Sequence, residues 1–232
     1  MGQSGHFEQA HKMEEMVEVT IDKISVQAAI DKWDGMGTTA CDRIFLEEFS
    51  AGSINEKTLR QFSATNTLKR RTGGYSIGRT FWGGISEWAP RIENFAKDTV
   101  AKQRIEYQNS GNKAIVFRIL DELANMEGTG PSGKKRQLGT VSASKLAFFL
   151  CPEMPFFIYD SVVGKVFHRK SAPRPSEYPM WCADLGKLLP DPDAFREHVT
   201  EKGRPEFAHR LNWLARRALD LALYRKGEEI IS

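Results

Sequence analysis

No stretch of this chain approaches the ~20 consecutive apolar residues that cross a bilayer. Its first residues, MGQSGHFEQAHK, are polar and charged, without the apolar centre of a secretion signal. A cytoplasmic, nucleoid-associated protein is therefore the expectation. Cysteine is scarce: Cys41, Cys151 and Cys182 are odd in number, far apart and without a C-x-x-C pair. That argues against a disulfide framework, and against a zinc or iron–sulfur site built from cysteines alone. The histidines, His6, His11, His168, His198 and His209, form no H-E-x-x-H or other close ligand pair, so neither a metal nor any other cofactor is expected. Excess charge is also slight, +3 from 33 Lys and Arg against 30 Asp and Glu. Attraction to phosphate must then come from local clustering.

What is present is an ordinary globular composition, 41% hydrophobic and 27% charged over 232 residues, with no internal repeat. A loose arm over 1–20 and one continuous domain over 21–232 are expected. Apolar residues recur at helical spacing over 24–33 and 42–49, and Ser53 with Glu56 resembles a capping box opening a helix over 55–68. Segment 69–90 interleaves glycines with basic and aromatic residues and reads as a shaped loop entering a broken helix, which resumes over 91–107. A helix over 114–126, a basic glycine-rich connector over 128–139 and an apolar helix over 145–150, capped by Ser142 or Ser144 and ended by Pro152, follow. Pro173, Pro175 and Pro179 break the chain before a helix over 195–199. A long C-terminal helix opened by Pro205 sets Phe207, Leu211, Leu214, Ala218 and Leu221 on one face, with Arg210, Arg217 and Arg225 off it. With no strand–helix alternation, the reading is an all-α, compact multi-helix domain with a helix-hairpin-helix-like element around 112–168.

The block GTVSASKLAFFLCPEMPFFIYDSVVGKVF over 139–167 carries the candidate chemistry. Lys145 falls in the first turn of the expected apolar helix, where the helix dipole and apolar neighbours work against the ammonium and toward a nucleophilic amine. Asp160 follows fifteen residues later, after the apolar run 156–159, at the mouth of another short helix ending at Phe167. An amine and a carboxylate can thus converge on one pocket.

In its order Lys145, Pro152, Pro155, Asp160, with Phe156-Phe157-Ile158-Tyr159 before the aspartate, the block resembles the helix-hairpin-helix-Gly/Pro-Asp superfamily of DNA glycosylases, especially 8-oxoguanine DNA glycosylase-like proteins. The resemblance spans about thirty residues. Where the family places glycines two and four residues before the lysine, this chain has Ala143 and Val141. The resemblance implies a DNA partner, a flipped base and cleavage of its N-glycosidic bond without a cofactor. Asp160 then stabilises positive charge on the sugar or orients the nucleophile, while Lys145 attacks C1′ and adds lyase chemistry through a Schiff base. In that picture Lys134, Lys135, Arg136, Ser142, Ser144 and Arg79 contact DNA, and Phe81, Trp82 and Tyr159 line the base pocket or supply a wedge.

The plainer readings are an N-cap for Asp160, a solvated lysine for Lys145, a solvated loop for the basic triplet and packing for the aromatics. They leave open a non-catalytic DNA-binding or defence-associated helical module, or a helical interaction bundle. The sequence GTGPSGKK over 128–135 matches a phosphate loop, but Lys135 stands where Ser or Thr must meet Mg²⁺ and a helix, not a strand, precedes it. An NTP site is rejected.

Overall fold

The computed structural model describes residue 28 and residues 38–64, 84–129, 133–169, 173–201 and 207–231. The expected arm over 1–20, most of the helix at 24–33 and the loop residues Arg79, Phe81 and Trp82 lie outside the described residues. The described chain is mostly α with one two-stranded ribbon, as the periodicity predicts. Helix α1 runs Thr38–Ser50 and α2 Glu56–Ser63. The latter opens on Asn55, whose side chain accepts the Thr58 N–H, so the cap lies two residues beyond the expected Ser53. Helix α3 spans Ile85–Phe95, passes through a π turn at Ala96–Val100 and continues as α4, Ala101–Ser110. Pro90 sits inside α3 without ending it, so the helix expected from 91 starts earlier.

Helix α5, Ala114–Ala124, turns Ile115, Val116, Ile119, Leu120 and Leu123 inward at the spacing of an apolar stripe. It leads into strands β1, Glu127–Thr129, and β2, Lys135–Gln137, paired antiparallel with Gly128 opposite Arg136. The expected glycine-rich connector is thus a hairpin ribbon. Helix α6, Gly139–Leu150, packs back along α5 and against α1, and is buried on nearly all sides from Thr140 to Leu150. A helix apolar around its whole circumference belongs at the centre of a core. Then follow α7 (Ser161–Val166), a 3-10 turn (Pro175–Glu177), α8 (Tyr178–Lys187), α9 (Ala194–Glu201) and α10 (Leu211–Ile231). Pro175 and Pro179 do not simply break the chain. They occupy first-turn positions of the 3-10 turn and of α8, where the missing N–H has no intrahelical partner to lose.

Contacts on two sides fix α6 in place. Phe149 meets Phe45, Phe49 and Phe62 edge-on, with centroids 5.5–6.5 Å apart, the geometry ring quadrupoles prefer. Behind it, Trp213 of α10 donates to the Phe148 carbonyl at 3.2 Å, and buried Arg216 donates to the carbonyls of Pro152 and Met154 just past the end of α6. The first half of α10 is therefore buried on nearly all sides, while Arg225 and residues 228–230 near its end are exposed. Arg217, expected off its apolar face, is buried too. Among the described residues no helix is long and apolar enough to cross a membrane.

Candidate active site

Gly139 opens α6 with φ +77°, a left-handed conformation open to glycine at no steric cost. Just before it, the Leu138 N–H bonds back to the Met126 carbonyl and closes the ribbon. The helix therefore starts six residues ahead of Lys145, which corrects the expectation of a helix beginning at that lysine. Ser142 and Ser144 lie inside the helix and are not its caps. The dipole argument falls with that change, since a helix terminus acts mainly on its first turn.

What faces the Lys145 amine is a carboxylate. Its Nζ donates to Asp160 Oδ2 at 2.7 Å, with the lysine side chain 5% and the aspartate 19% exposed. The other carboxylate oxygen, Oδ1, accepts the Val162 N–H at 2.9 Å and caps α7. Asp160 thus divides its oxygens between a helix N-terminus and an amine. The sequence expectation that it opens a short helix is met by α7, Ser161–Val166.

The run that delivers Asp160 belongs to no helix and no strand. Its peptide groups are answered by hydroxyls: Ser144 Oγ accepts the Tyr159 N–H at 2.9 Å, and Tyr178 Oη accepts the Phe157 N–H at 3.0 Å while donating to the Phe157 carbonyl. Ser144 also donates to the Val141 carbonyl at 3.0 Å. Burial pushes the Tyr178 hydroxyl well above the usual phenol range, which keeps it a donor. Ser142 and Ser144 are both buried, so neither is presented to a phosphate, contrary to the sequence-based assignment. Tyr159 is also buried, with its ring 5.1 Å from that of Trp181. It is a core residue here and not the wall of an open base pocket. Lys134, Lys135 and Arg136 are exposed at the ribbon, preceding the pair along α6. Six residues of helix place the ribbon exit about 9 Å along the axis from Lys145.

A second ionic cluster, invisible in the sequence, lies beside the first. Arg217 on α10 reaches Asp42 of α1 through Nε at 2.9 Å and Asp220 through Nη1 at 2.5 Å. Asp220 feels both members of the Lys145–Asp160 pair. Burial is the main force raising its carboxyl to about 6; Arg217 opposes the shift, the Asp160 charge adds to it and Lys145 opposes it. The Tyr224 hydroxyl is likewise raised, by burial first and then by Glu228, Asp160 and Asp220. The i, i+3 spacing of Arg217 and Asp220 is legible, but Asp42 is 175 residues from Arg217 and no local pattern joins them.

A cavity of about 210 Å³ opens elsewhere, between the end of α1 and the π turn, lined by Phe49, Gly52, Lys97, Val100 and Arg104 among others. Among the described residues no cluster of three or more His, Cys, Asp or Glu side chains could hold a metal ion. The local chemistry of the site is thus that of one amine, two nearby carboxylates and a helix N-terminus. No family model, curated protein or solved structure matches this chain.

Proposed function

We propose that the protein is a DNA N-glycosylase that extrudes a damaged or modified base and releases it, with lyase chemistry available through the amine. One observation carries the reading: Lys145 and Asp160, fifteen residues apart and on different elements, meet at 2.7 Å with the lysine side chain 5% exposed. A buried ion pair is seldom a gain in stability over apolar packing, so its retention points to use. In the reaction Asp160, whose Oδ1 caps α7, faces the positive charge that develops on the sugar as the base departs. Lys145, once it has lost a proton, attacks C1′; the new N–C1′ bond replaces the glycosidic bond, whose electron pair leaves with the base. Exposed Lys134, Lys135 and Arg136 supply phosphate contacts upstream of the site.

Borohydride trapping on duplexes carrying a panel of altered bases and an abasic site, with free-base release measured in parallel, tests the reading. The expected result is base release from at least one duplex, abolished by Asp160→Asn, and a trapped adduct lost in Lys145→Gln. Wild type that forms no adduct and releases no base from any duplex would overturn it.

A second reading, a non-catalytic DNA-binding module, draws on the exposed basic ribbon and on Tyr159 being packed into the core. It predicts that replacing the three ribbon cations with alanine abolishes duplex binding while Lys145→Gln changes no activity. Removing three phosphate contacts lowers the slope of log K against log salt by about 2.7.

A further inference from the structure

The two edges of the β1–β2 ribbon differ in how their main-chain groups are answered. Gly128 faces Arg136, and just beyond the ribbon the Leu138 N–H donates to the Met126 carbonyl. Bonded and non-bonded pairs alternate along an antiparallel ladder. The Met126–Leu138 bond therefore makes Gly128–Arg136 a bonded pair, and the N–H and C=O groups of Glu127, Thr129, Lys135 and Gln137 point out of the ribbon. On the β1 side α3 answers them. Arg91 donates to the Glu127 carbonyl at 2.9 Å, the Thr129 N–H donates to Glu87 Oε2 at 3.1 Å, and Trp88 Nε1 donates to the Thr129 carbonyl at 3.2 Å. The fit is close: a Cβ on Gly84 would strike the Thr129 carbonyl, and one on Gly128 the Trp88 ring. The ribbon is thus clamped along one edge.

The other edge is open. Lys134, Lys135, Arg136 and Gln137 are all exposed, and no described residue bonds the outward groups of Lys135 and Gln137. N–H groups and carbonyls alternating along one line require a partner that both accepts and donates. A phosphate backbone only accepts, and would set its anionic oxygens against the carbonyls. An extended peptide offers both kinds of group in strand register. A second copy of the ribbon would bring the same cations into opposition, and like charges across a strand pair repel. Lys134, Lys135 and Arg136 thus blunt the edge against its own kind and select carboxylates.

We propose that the outer edge of β2 docks an acidic, extended segment of a partner protein by strand addition. The main chain of the segment pairs with Lys135 and Gln137, and its carboxylates face the ribbon cations. Successive side chains of a strand point to opposite faces, so Lys135 and Gln137 share one face and Arg136 takes the other. A segment with acidic residues at alternate positions therefore meets a cation in either register. The docking stands independently of the glycosylase reading and touches it at one point: while the segment is bound, the cations assigned there to phosphates are engaged.

The test titrates the ¹⁵N-labelled full chain with a blocked peptide of alternating Glu and Thr, and with its counterpart carrying Lys for Glu. Expected are shifts of the Lys135 and Gln137 amide signals and slower exchange of those hydrogens, with the acidic peptide alone. Only alternate N–H groups of a docked strand face β2, so methylating the Thr nitrogens and methylating the Glu nitrogens should differ. One set weakens binding roughly tenfold or more and the other spares it. Gln137→Pro removes one outward N–H while keeping the three cations, at an edge position that admits proline, and should weaken binding by roughly tenfold. The methylated peptides leave the chain unaltered, so they decide the matter even where that variant fails to fold. Binding indifferent to both methylations is side-chain attraction alone and overturns the proposal. So does an acidic peptide that leaves the two amides unmoved, a DNA duplex that shifts them where the peptide does not, or a concentration-dependent dimer that shifts them in the peptide's place.

Discussion

Two ion clusters sit side by side beneath α10 and differ in what their cations can do. Arg217 holds Asp42 and Asp220 with a planar fork in the interior, its side chain 7% exposed. Lys145 holds the Asp160 carboxylate, which is 19% exposed and already caps a helix. A guanidinium cannot be deprotonated and its fork is rigid, so the first cluster is suited to fastening α1 to α10. An ammonium on a flexible stem can lose a proton and swing, and its partner looks toward solvent. Similar ingredients therefore serve as a rivet in one place and as a reagent in the other.

Breaking each cation in turn is the strongest test of that contrast. Arg217→Leu takes the guanidinium away from Asp42 and Asp220 in the core and should cost about 3–5 kcal/mol in urea unfolding. Lys145→Met leaves only the partly exposed Asp160, still capping α7, and should cost about half as much or less while abolishing the adduct. Equal losses from the two would erase the distinction.

Asp220 sharpens the comparison through pH. Its folded carboxyl, raised from 3.8 to about 6, favours folding of the protonated form. The stability it contributes is full below about pH 4 and disappears as pH rises through 6. Asp220→Asn, which is always neutral, should therefore gain on wild type between pH 4 and pH 7.5 by on the order of 2–3 kcal/mol, read as diverging unfolding midpoints. Parallel curves would mean that Asp220 is ionised as freely in the fold as outside it.

Smaller effects come from the two ends of α7. Gly227 of α10 lies against the Val162 carbonyl so closely that a Cβ there would collide with it. Gly227→Ala should push the first turn of α7 away, costing about 1–3 kcal/mol and reducing base release by misplacing Asp160, with the Arg217 cluster intact. At the other end His168 holds φ 53° in the position glycine favours, where its N–H bonds the Lys165 carbonyl and the Arg169 N–H bonds that of Gly164. His168→Gly relieves a strained backbone at the cost of added freedom in the unfolded chain, so thermal unfolding should change by no more than about 1 kcal/mol. Both ion clusters and the adduct should be untouched.

How much of this was legible beforehand follows from the range of each signal. The mostly helical fold, the α7 cap at Asp160 and the placing of helices α1, α2 and α5 rest on spacing within one or two turns, which sequence records directly. The start of α6 was misplaced because Ser142 and Ser144 looked like caps, whereas Gly139 and the ribbon open the helix. Ser144 is instead spent on the Tyr159 N–H. That two residues fifteen apart would touch was suggested by resemblance and not by periodicity. Arg217 read as a surface charge because its partner Asp42 lies at the far end of the described chain. Long-range neutralisation of buried charge leaves no local trace.

The bonding of the arm 156–160 has a consequence for how mutations here should be understood. Its peptide groups find their complements on the Ser144 and Tyr178 hydroxyls, which together play the part a neighbouring strand plays in a sheet. Removing either oxygen therefore edits the main chain's own bonding from a distance. Tyr178→Phe, although it keeps the ring, orphans an amide and a carbonyl three residues from the carboxylate the arm delivers.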